Sequence, residues 1–400
     1  MMMGDERRTI LCLSLILLAA ALHPAHGQTT ERISCFLIGD SVTAPWNPFA
    51  SLFVQDPLFT YGLYPLGHVS EDEKRKLDRV YYPRTGEMLA RAYDFMVFRD
   101  ARVTHFTPRQ FSELEHVFRE EKMGSVAVHS LSWDVAWLPT VLYDLSPISD
   151  YQFRFSVPWG VRLRREREDV FLPFADLGIE RAIGMEYGIM TVKQGATVWG
   201  DMWPQDLPWL VSWEPDGGNP GTKWVFADKF DSSWWGTAPG SRGSNPYAID
   251  LATNLILHSL DRPLVTDVLA RREARDLFSA LRSRKILILS MLSWAESFGA
   301  NIFPLSERLS QIEEESVDAV EDYLEQDYGS AISFLESLGP TVYDISEQAR
   351  RLKDQALFWV YVSEWLALTS GAMLSGFALW TLMIKRRMYR AVGETRLRRA

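Results

Sequence analysis

The chain has 400 residues, of which 47% are hydrophobic and 24% are charged, a balance that is typical of a globular protein and excludes a disordered or fibrous one. The net charge of −10 argues against nucleic acid as a partner, because phosphate binding needs a basic surface. Of the two cysteines, Cys12 lies in the N-terminal apolar run described next, so we expect no disulfide in the mature chain.

The N-terminus has the pattern of a secretory signal. Arg7 and Arg8 precede an apolar run over residues 10–22, and Ala25-His26-Gly27 supplies small residues around a cleavage site. A single N-terminal membrane anchor is the competing interpretation, but the run is short for a span. We therefore predict a signal peptide over residues 1–27.

Residues 28–261 are predicted to form an α/β head. Apolar strands are expected at residues 33–39 and 95–99, each followed by an aspartate, Asp40 and Asp100. A helix is predicted to start at Pro108 with Thr107 as its cap, and the next strand follows Gly124. Such alternation implies a mostly parallel sheet covered by helices. Further strands are expected at residues 196–199, 209–213 and 223–227, and an amphipathic helix at 245–260.

Several segments follow one another in an order known from one fold. They are residues 93–97, 106–110, 124–128, 132–133 and 142–148, with 221–228 and 245–247 later in the chain. This series resembles the class I glutamine amidotransferase-like fold in its membrane-tethered, ThuA-like branch, over about residues 33–260. The resemblance implies a flavodoxin-like or amidotransferase-like sheet flanked by helices.

The catalytic groups of true amidotransferases are missing from the matching positions. Their chemistry needs a cysteine thiolate on a tight turn, activated by a histidine that an acid orients. The corresponding turn, residues 129–134, reads His-Ser-Leu-Ser-Trp-Asp, and Asn245-Pro246-Tyr247 replaces the His-Pro-Glu that the family pattern carries. We therefore predict no glutaminase activity, no catalytic residue and no cofactor.

Another hydrolase could use Ser130 or Ser132 as its nucleophile. His129 or His105 would be the base and Asp134 the orienting acid. However, His129 and Ser130 point to opposite sides of an extended strand, so their side chains cannot meet there. The alternative interpretation is a serine-rich turn that satisfies its own backbone. The histidines show no metal-ligand spacing, so no metal site is predicted.

Asp40 and Asp100 are the predicted ligand-facing acids, because open parallel sheets bind ligands at the carboxyl ends of their strands. Aspartate at the end of a strand is also a common turn residue. A second candidate surface is the Gly/Ser-rich segment of residues 231–245, which the resemblance brings near the turn at Ser132. The predicted ligand-binding residues are Ser132 and Trp133 in the turn, and Asp231, Trp234, Trp235 and Asn245 in the segment.

Seven tryptophans, interleaved with aspartates such as Asp228, lie between residues 199 and 235. Indole rings beside carboxylates can bind a glycan, because sugar faces stack on the rings and hydroxyls need acceptors. Indole rings also fill protein cores and protein interfaces. Both interpretations stay open from the sequence.

Residues 262–355 are predicted to form a helical stalk with breaks at Gly299, Asp327 and Gly339-Pro340. A transmembrane helix is predicted over residues 356–384, because the 20 positions from Trp365 to Ile384 carry no charge. The tail, residues 385–400, contains seven basic residues and one acid. By the positive-inside rule the tail is cytoplasmic and the head lies outside.

These patterns together predict a single-pass, type I protein of the cell membrane. The predicted function is a non-catalytic binding or scaffolding subunit, with the lipid bilayer and a membrane or cell-surface protein as its partners. A ThuA-like hydrolase, or a surface protein that binds or processes glycans, is the alternative.

Overall fold

The computed structural model describes residues 31–397 except 40–46, 68, 129–134, 155–156, 165–169, 215–216, 231 and 237–244. The predicted signal peptide, residues 1–27, lies outside the described residues. So do four of the predicted site residues, which are Asp40, Ser132, Trp133 and Asp231.

The head is built on a sheet of eight described strands whose first half is parallel, as predicted. The order is β2-β1-β3-β4-β10-β9-β8-β6. All pairs from β2 to β10 are parallel, and those from β10 to β6 are antiparallel; β5 and β7 form a separate antiparallel pair. The bounds are β1 (Ile33–Gly39), β2 (Phe59–Pro65), β3 (Phe95–Arg99), β4 (Gly124–Val128), β5 (Ile148–Arg154), β6 (Gly160–Leu163), β7 (Tyr187–Val192), β8 (Thr197–Trp203), β9 (Leu207–Trp213) and β10 (Lys223–Phe226).

Helices cover both faces of the parallel half. Successive residues of β1 point to opposite faces, so Cys35 and Leu37 enter one apolar core while Phe36 and Ile38 enter the other. Burial, reinforced by Asp94, raises the pKa of the Cys35 thiol. The head helices are α1 (Pro48–Gln55), α2 (Glu71–Tyr81), α3 (Gly86–Ala92), α4 (Pro108–Arg119), α5 (Val141–Asp144), α6 (Ser232–Trp235) and α7 (Ala248–Ser259).

The structure confirms the prediction for α4 and corrects the prediction for α7. The predicted start of α4 is confirmed, because Thr107 and Gln110 form a reciprocal capping box at 3.2 and 2.8 Å. The prediction that α7 is amphipathic is wrong. Eleven of its twelve residues are buried, because the helix is enclosed by the core that also contains Phe49 of α1 and Val268 of the next helix.

Three long helices follow the head: α8 (Val268–Ser297), α9 (Phe303–Leu324) and α10 (Tyr328–Leu397). The predicted breaks at Gly299 and Asp327 are confirmed. The break predicted at Gly339-Pro340 is wrong, since α10 continues through Pro340. Proline removes one helical hydrogen bond, but Leu338, Val342 and Ile345 on either side of it are buried against α8 and α9.

The distal part of α10 is long and apolar enough to cross a membrane. Among the described residues one helix, Tyr328–Tyr389, meets this length and hydropathy criterion. None of the residues in its apolar 18-residue window is buried. The helix therefore leaves the stalk and continues as a fully exposed apolar rod.

A buried ion network joins α8 to the head. The Arg271 guanidinium binds Asp56, at the end of α1, and Asp250, in the first turn of α7, with 2.5 Å to Asp250. Arg275 also binds Asp250, and the Tyr323 hydroxyl donates to Asp56 over 2.9 Å. Arg271, Asp56 and Asp250 have fully buried side chains.

The charges in this network balance, which is what a buried site requires. Burial alone would lower the pKa of Arg271, but the charge of Asp56, followed by Tyr323 and Asp250, outweighs it and raises the pKa. Arg282, about three turns beyond Arg271 along α8, donates to the carbonyl of Val54 in α1. The start of the stalk is thus fixed to the head on one face of the sheet.

Candidate functional site

The strand order creates a switch point between β1 and β3. From β1 the chain first moves to β2 on one side, and then crosses to β3 on the other side. Open α/β sheets bind ligands outside the carboxyl ends of the strands at such a point. Gly39, the last residue of β1, pairs with Arg99, the last of β3. The two predicted acids, Asp40 and Asp100, therefore follow register-matched strand ends, although Asp40 is outside the described residues.

Backbone geometry at this edge is tight. Gly39 has φ +129°, and a side chain there would collide with the carbonyl oxygen of Arg99, so glycine is required. Asp100 has φ +51°. Its N–H donates to the carbonyl of Val128, the last residue of β4, over 3.0 Å. This bond holds Asp100 across the ends of β3 and β4.

The Asp100 carboxylate has an unused acceptor. Its Oδ1 is buried, and within the described part of the chain it has no hydrogen-bond partner. Buried polar atoms are generally satisfied, so an unsatisfied carboxylate oxygen at a switch point is a candidate contact for a ligand. This is the feature that most clearly distinguishes the site from a simple turn.

A second acid, Asp228, lies at the same edge and was not among the predicted site residues. It follows β10 by two residues and is fully buried. It accepts from the indole N–H groups of Trp209 and Trp235, each over 2.8 Å, and from the N–H of Phe230. The rule that selected Asp40 and Asp100, an aspartate just beyond a parallel strand, also identifies Asp228.

Tyr151 connects the two acids electrostatically. Burial, and then the charges of Asp228 and Asp100, raise the pKa of the Tyr151 phenol. Its hydroxyl donates to the carbonyl of Ala227 over 3.2 Å. Asp228 and Tyr151 are fully buried and hydrogen-bonded within the fold, so the acceptor that this edge offers to a ligand is Oδ1 of Asp100.

The two predicted ligand-facing tryptophans are core residues. Trp234 and Trp235 are 0% and 2% exposed, and Trp235 packs on Phe49, Phe226 and Phe230 with ring centroids 6.4, 5.3 and 5.4 Å away. Rings enclosed in this way cannot stack on a sugar, so the predicted ligand-binding role of Trp234 and Trp235 is wrong. Trp199, Trp209 and Trp224 are buried in the same core, which confirms the core interpretation for these five.

Asn245 is also buried, at the start of the turn into α7. Its N–H donates to the carbonyl of Trp234 over 3.1 Å, and its Oδ1 accepts from the N–H of Tyr247 over 3.0 Å. Its Nδ2 has no partner among the residues that the structure describes. Asn245 thus closes the local turn, and only the amide Nδ2 is left for a ligand.

The hydrolase and metal alternatives gain no support from the described residues. His105 Nδ1 accepts from the N–H of Arg102 over 3.1 Å and closes a short helical turn. The other members of that proposed hydrolase set, at positions 129–134, lie outside the description. Within the described ranges no group of three or more His, Cys, Asp or Glu is arranged to hold a metal ion.

A buried lysine occupies the opposite edge of the sheet. Lys223, the first residue of β10, lines a cavity of about 40 Å³ together with Phe118 and Ser125. Its Nζ donates to the carbonyl of Met123 and lies 4.0 Å from the ring centroid of Phe118. Burial lowers the pKa of Lys223 well below its ordinary value.

We expect Lys223→Met to stabilise the protein by roughly 1–2 kcal/mol at pH 7, because it keeps the apolar stem and removes a buried amine. The unfolded state binds more protons than the folded state between the lowered pKa and about 10.5, so this lysine makes wild-type stability rise with pH there. The variant lacks that rise. Melting curves in mild detergent at several pH values measure it, with Lys229→Met, which breaks a half-buried 3.0 Å pair with Glu186, as the control. A destabilised Lys223→Met would contradict the expectation.

Comparison with known proteins leaves the family open. No family model and no curated protein matches the chain. Among solved structures, it is similar to Cytoplasmic Protein STM1381 from Salmonella typhimurium LT2, at 14% identity and a TM-score of 0.39, covering 57% of this chain and 97% of that one. Cytoplasmic Protein STM3548 from Salmonella typhimurium gives 14% identity and a TM-score of 0.37, covering 56% and 97%. These similarities are too low to support an argument about function.

Proposed function

We propose that this chain is a membrane-anchored, non-catalytic binding or scaffolding protein, a type I single-pass subunit of a cell-surface complex with an amidotransferase-like head. The observation that carries the proposal is that the head is packed rigidly against the stalk, and that the last helix of the stalk continues as the apolar segment. The head is tied to α8 by the Arg271 network, and α10 runs from the head end of the stalk into an exposed apolar helix. A head held in this way suits recruitment of a partner at the membrane.

The sequence around α10 supports the orientation. Trp359, Tyr361 and Trp365 lie at one end of the charge-free segment, and Trp380 and Tyr389 lie near the other, as expected for rings in the headgroup layers. The basic residues that follow Ile384 favour a cytoplasmic C-terminus. The head then faces outward.

The binding surface that we propose is the carboxyl edge of the parallel strands. Asp100, whose Oδ1 has no partner among the described residues, gives this edge an acceptor. Asp228 is fully buried against Trp209 and Trp235, so it is not part of the binding surface. A partner protein with basic or amide groups complements such an edge, because charge complementarity speeds and orients association. The amidotransferase-like resemblance is consistent with this, since the sequence has neither the cysteine nucleophile nor the His-Pro-Glu of the family at the matching positions.

Affinity isolation of the full-length protein, tagged after Ala400, from gently solubilised native membranes tests the proposal. We expect a stoichiometric membrane or cell-surface protein with the wild type and at least a tenfold weaker recovery with Asp100→Asn. Asp72→Asn is the matched control, because Asp72 is an exposed acid on α2 whose removal should leave recovery unchanged. Recovery of the chain alone, or equal recovery with both variants, would count against a scaffold that uses this edge.

The alternative of a hydrolase or glycan-processing head would use Oδ1 of Asp100, which has no partner among the described residues. In that case Asp100→Asn would abolish turnover of an ester or glycan substrate and leave any complex intact. The same pair of variants therefore separates the two functions.

A further inference from the structure

A small cavity lies between the parallel strands and the helices that cover one of their faces. Its lining includes residues of β3, β4 and β10 on one side and of α4 and residues 137–147 on the other, and its volume is about 40 Å³. Most of the lining is apolar, and Ala127, in the central strand β4, is partly exposed because its side chain faces this space. Since roughly 10–15 Å³ is enough for one water molecule, the cavity has room for a molecule of roughly three or four heavy atoms.

Lys223 places an amine in the lining of this cavity. The residue is 4% exposed, and its Nζ donates to the carbonyl of Met123. Among the described residues no carboxylate pairs with this amine, and burial is the cause of its lowered pKa. At a given pH, more of this lysine is therefore neutral than of a surface lysine. After one N–H is donated to Met123, the neutral amine keeps a lone pair and a second N–H.

A hydroxyl group lies beside the amine. Lys223 pairs directly with Ser125 across β10 and β4, and both residues line the cavity. A hydroxyl can donate a hydrogen bond to the oxygen of a carbonyl group that is held next to the amine. The cavity thus offers a nucleophile, a hydrogen-bond donor and apolar walls to a small carbonyl compound.

The fold does not require this amine. Methionine at position 223 is expected to occupy the same space with a gain in stability, because a buried amine costs free energy. A group that lowers stability and lies in a cavity is typical of a functional site. Lysines that are desolvated in apolar pockets are nucleophiles that form imines with carbonyl compounds.

We propose that Lys223 binds an aliphatic aldehyde of about two or three carbons in this cavity as a reversible imine. The Nζ lone pair forms a bond to the carbonyl carbon, the C–O bond breaks, and the oxygen leaves as water with the two amine hydrogens. A C=N bond replaces the C=O bond, so neither an oxidant nor a reductant is needed. The inference goes beyond the proposed function and does not depend on it.

Reductive trapping on the full-length protein in mild detergent tests the inference. Propanal and sodium cyanoborohydride are added at pH 7, where the hydride converts an imine to a stable secondary amine, and peptide mass spectrometry follows the modification of each lysine over time. We expect Lys223 to be modified about tenfold faster, or more, than Lys76, an exposed lysine on α2, because more of its amine is neutral. A rate at Lys223 equal to or below the rate at Lys76 would overturn the inference.

Two controls distinguish binding in the cavity from a generally reactive lysine. The bulkier 2,2-dimethylpropanal does not fit a volume of about 40 Å³, so the ratio of modification at Lys223 to that at Lys76 should fall about tenfold or more with this aldehyde. Ala127→Leu fills the cavity and keeps the lysine, so it should lower the same ratio for propanal by a similar factor.

Melting curves show whether Ala127→Leu is folded, and the comparison of the two aldehydes on the wild type decides the question without that variant. An equal ratio with the two aldehydes would mean that Lys223 reacts outside the cavity, and would overturn the inference.

Discussion

Replacing Arg271 by methionine is expected to destabilise the protein by about 3–5 kcal/mol, because the change leaves buried acids without their cation. In the variant, Asp250 keeps Arg275 as a partner through two hydrogen bonds, one of which joins Nη2 to Oδ2 over 3.1 Å. Asp56 keeps only the Tyr323 hydroxyl as a side-chain partner in the network. The loss is therefore concentrated on Asp56, at the contact between the head and the stalk.

Thermal or urea unfolding of the detergent-solubilised protein measures this loss. Arg272→Met is the matched control, since Arg272 neighbours Arg271 but makes an exposed 3.8 Å pair with Asp276, and such pairs contribute about 0–1 kcal/mol. Equal effects of the two variants would contradict the role of the network. Tyr323→Phe should cost less than Arg271→Met, because it removes one hydrogen bond and no charge.

The network also explains why the attachment of the stalk to the head could not be predicted from the sequence. Asp56 and Arg271 are 215 positions apart, and each looks like an ordinary surface residue in its local segment. The helical periodicity of α8 predicted a helix correctly. The head partners of that helix depend on tertiary contacts, which periodicity does not encode.

Elements with strong local signals were predicted well. β1 and β3 are continuous apolar runs, as buried parallel strands must be, and α4 begins with a capping box. Pro340 shows the opposite case: its local penalty predicted a break, but flanking core contacts keep α10 helical. A local rule fails where packing supplies more free energy than the rule costs.

The candidate site was predicted in part. The strand-end rule identified Asp100, and the topology adds the reason, because β1 and β3 flank the switch point. The density of tryptophans suggested a surface around Trp234 and Trp235, but composition cannot distinguish a buried ring from an exposed one. The same rule also applies to Asp228, which follows β10, although the sequence analysis did not select it; its two indole donors are set by the tertiary fold.

The central claim is that α10 anchors the protein in a membrane. Two arginines placed in the span, Leu374→Arg with Ala378→Arg, should abolish anchoring, because each costs about 2.5–3.5 kcal/mol at the centre of a spanning helix. Both wild-type side chains are exposed, so the variant does not disturb a protein core. The control carries the same two arginines on the stalk, at the exposed positions Ser310 and Val317.

Alkaline carbonate extraction of membranes from cells that express each chain is the most direct measurement. The account predicts that the wild type and the stalk control stay in the membrane pellet while the span variant is released to the supernatant. A wild-type chain that carbonate extracts into the supernatant would contradict it.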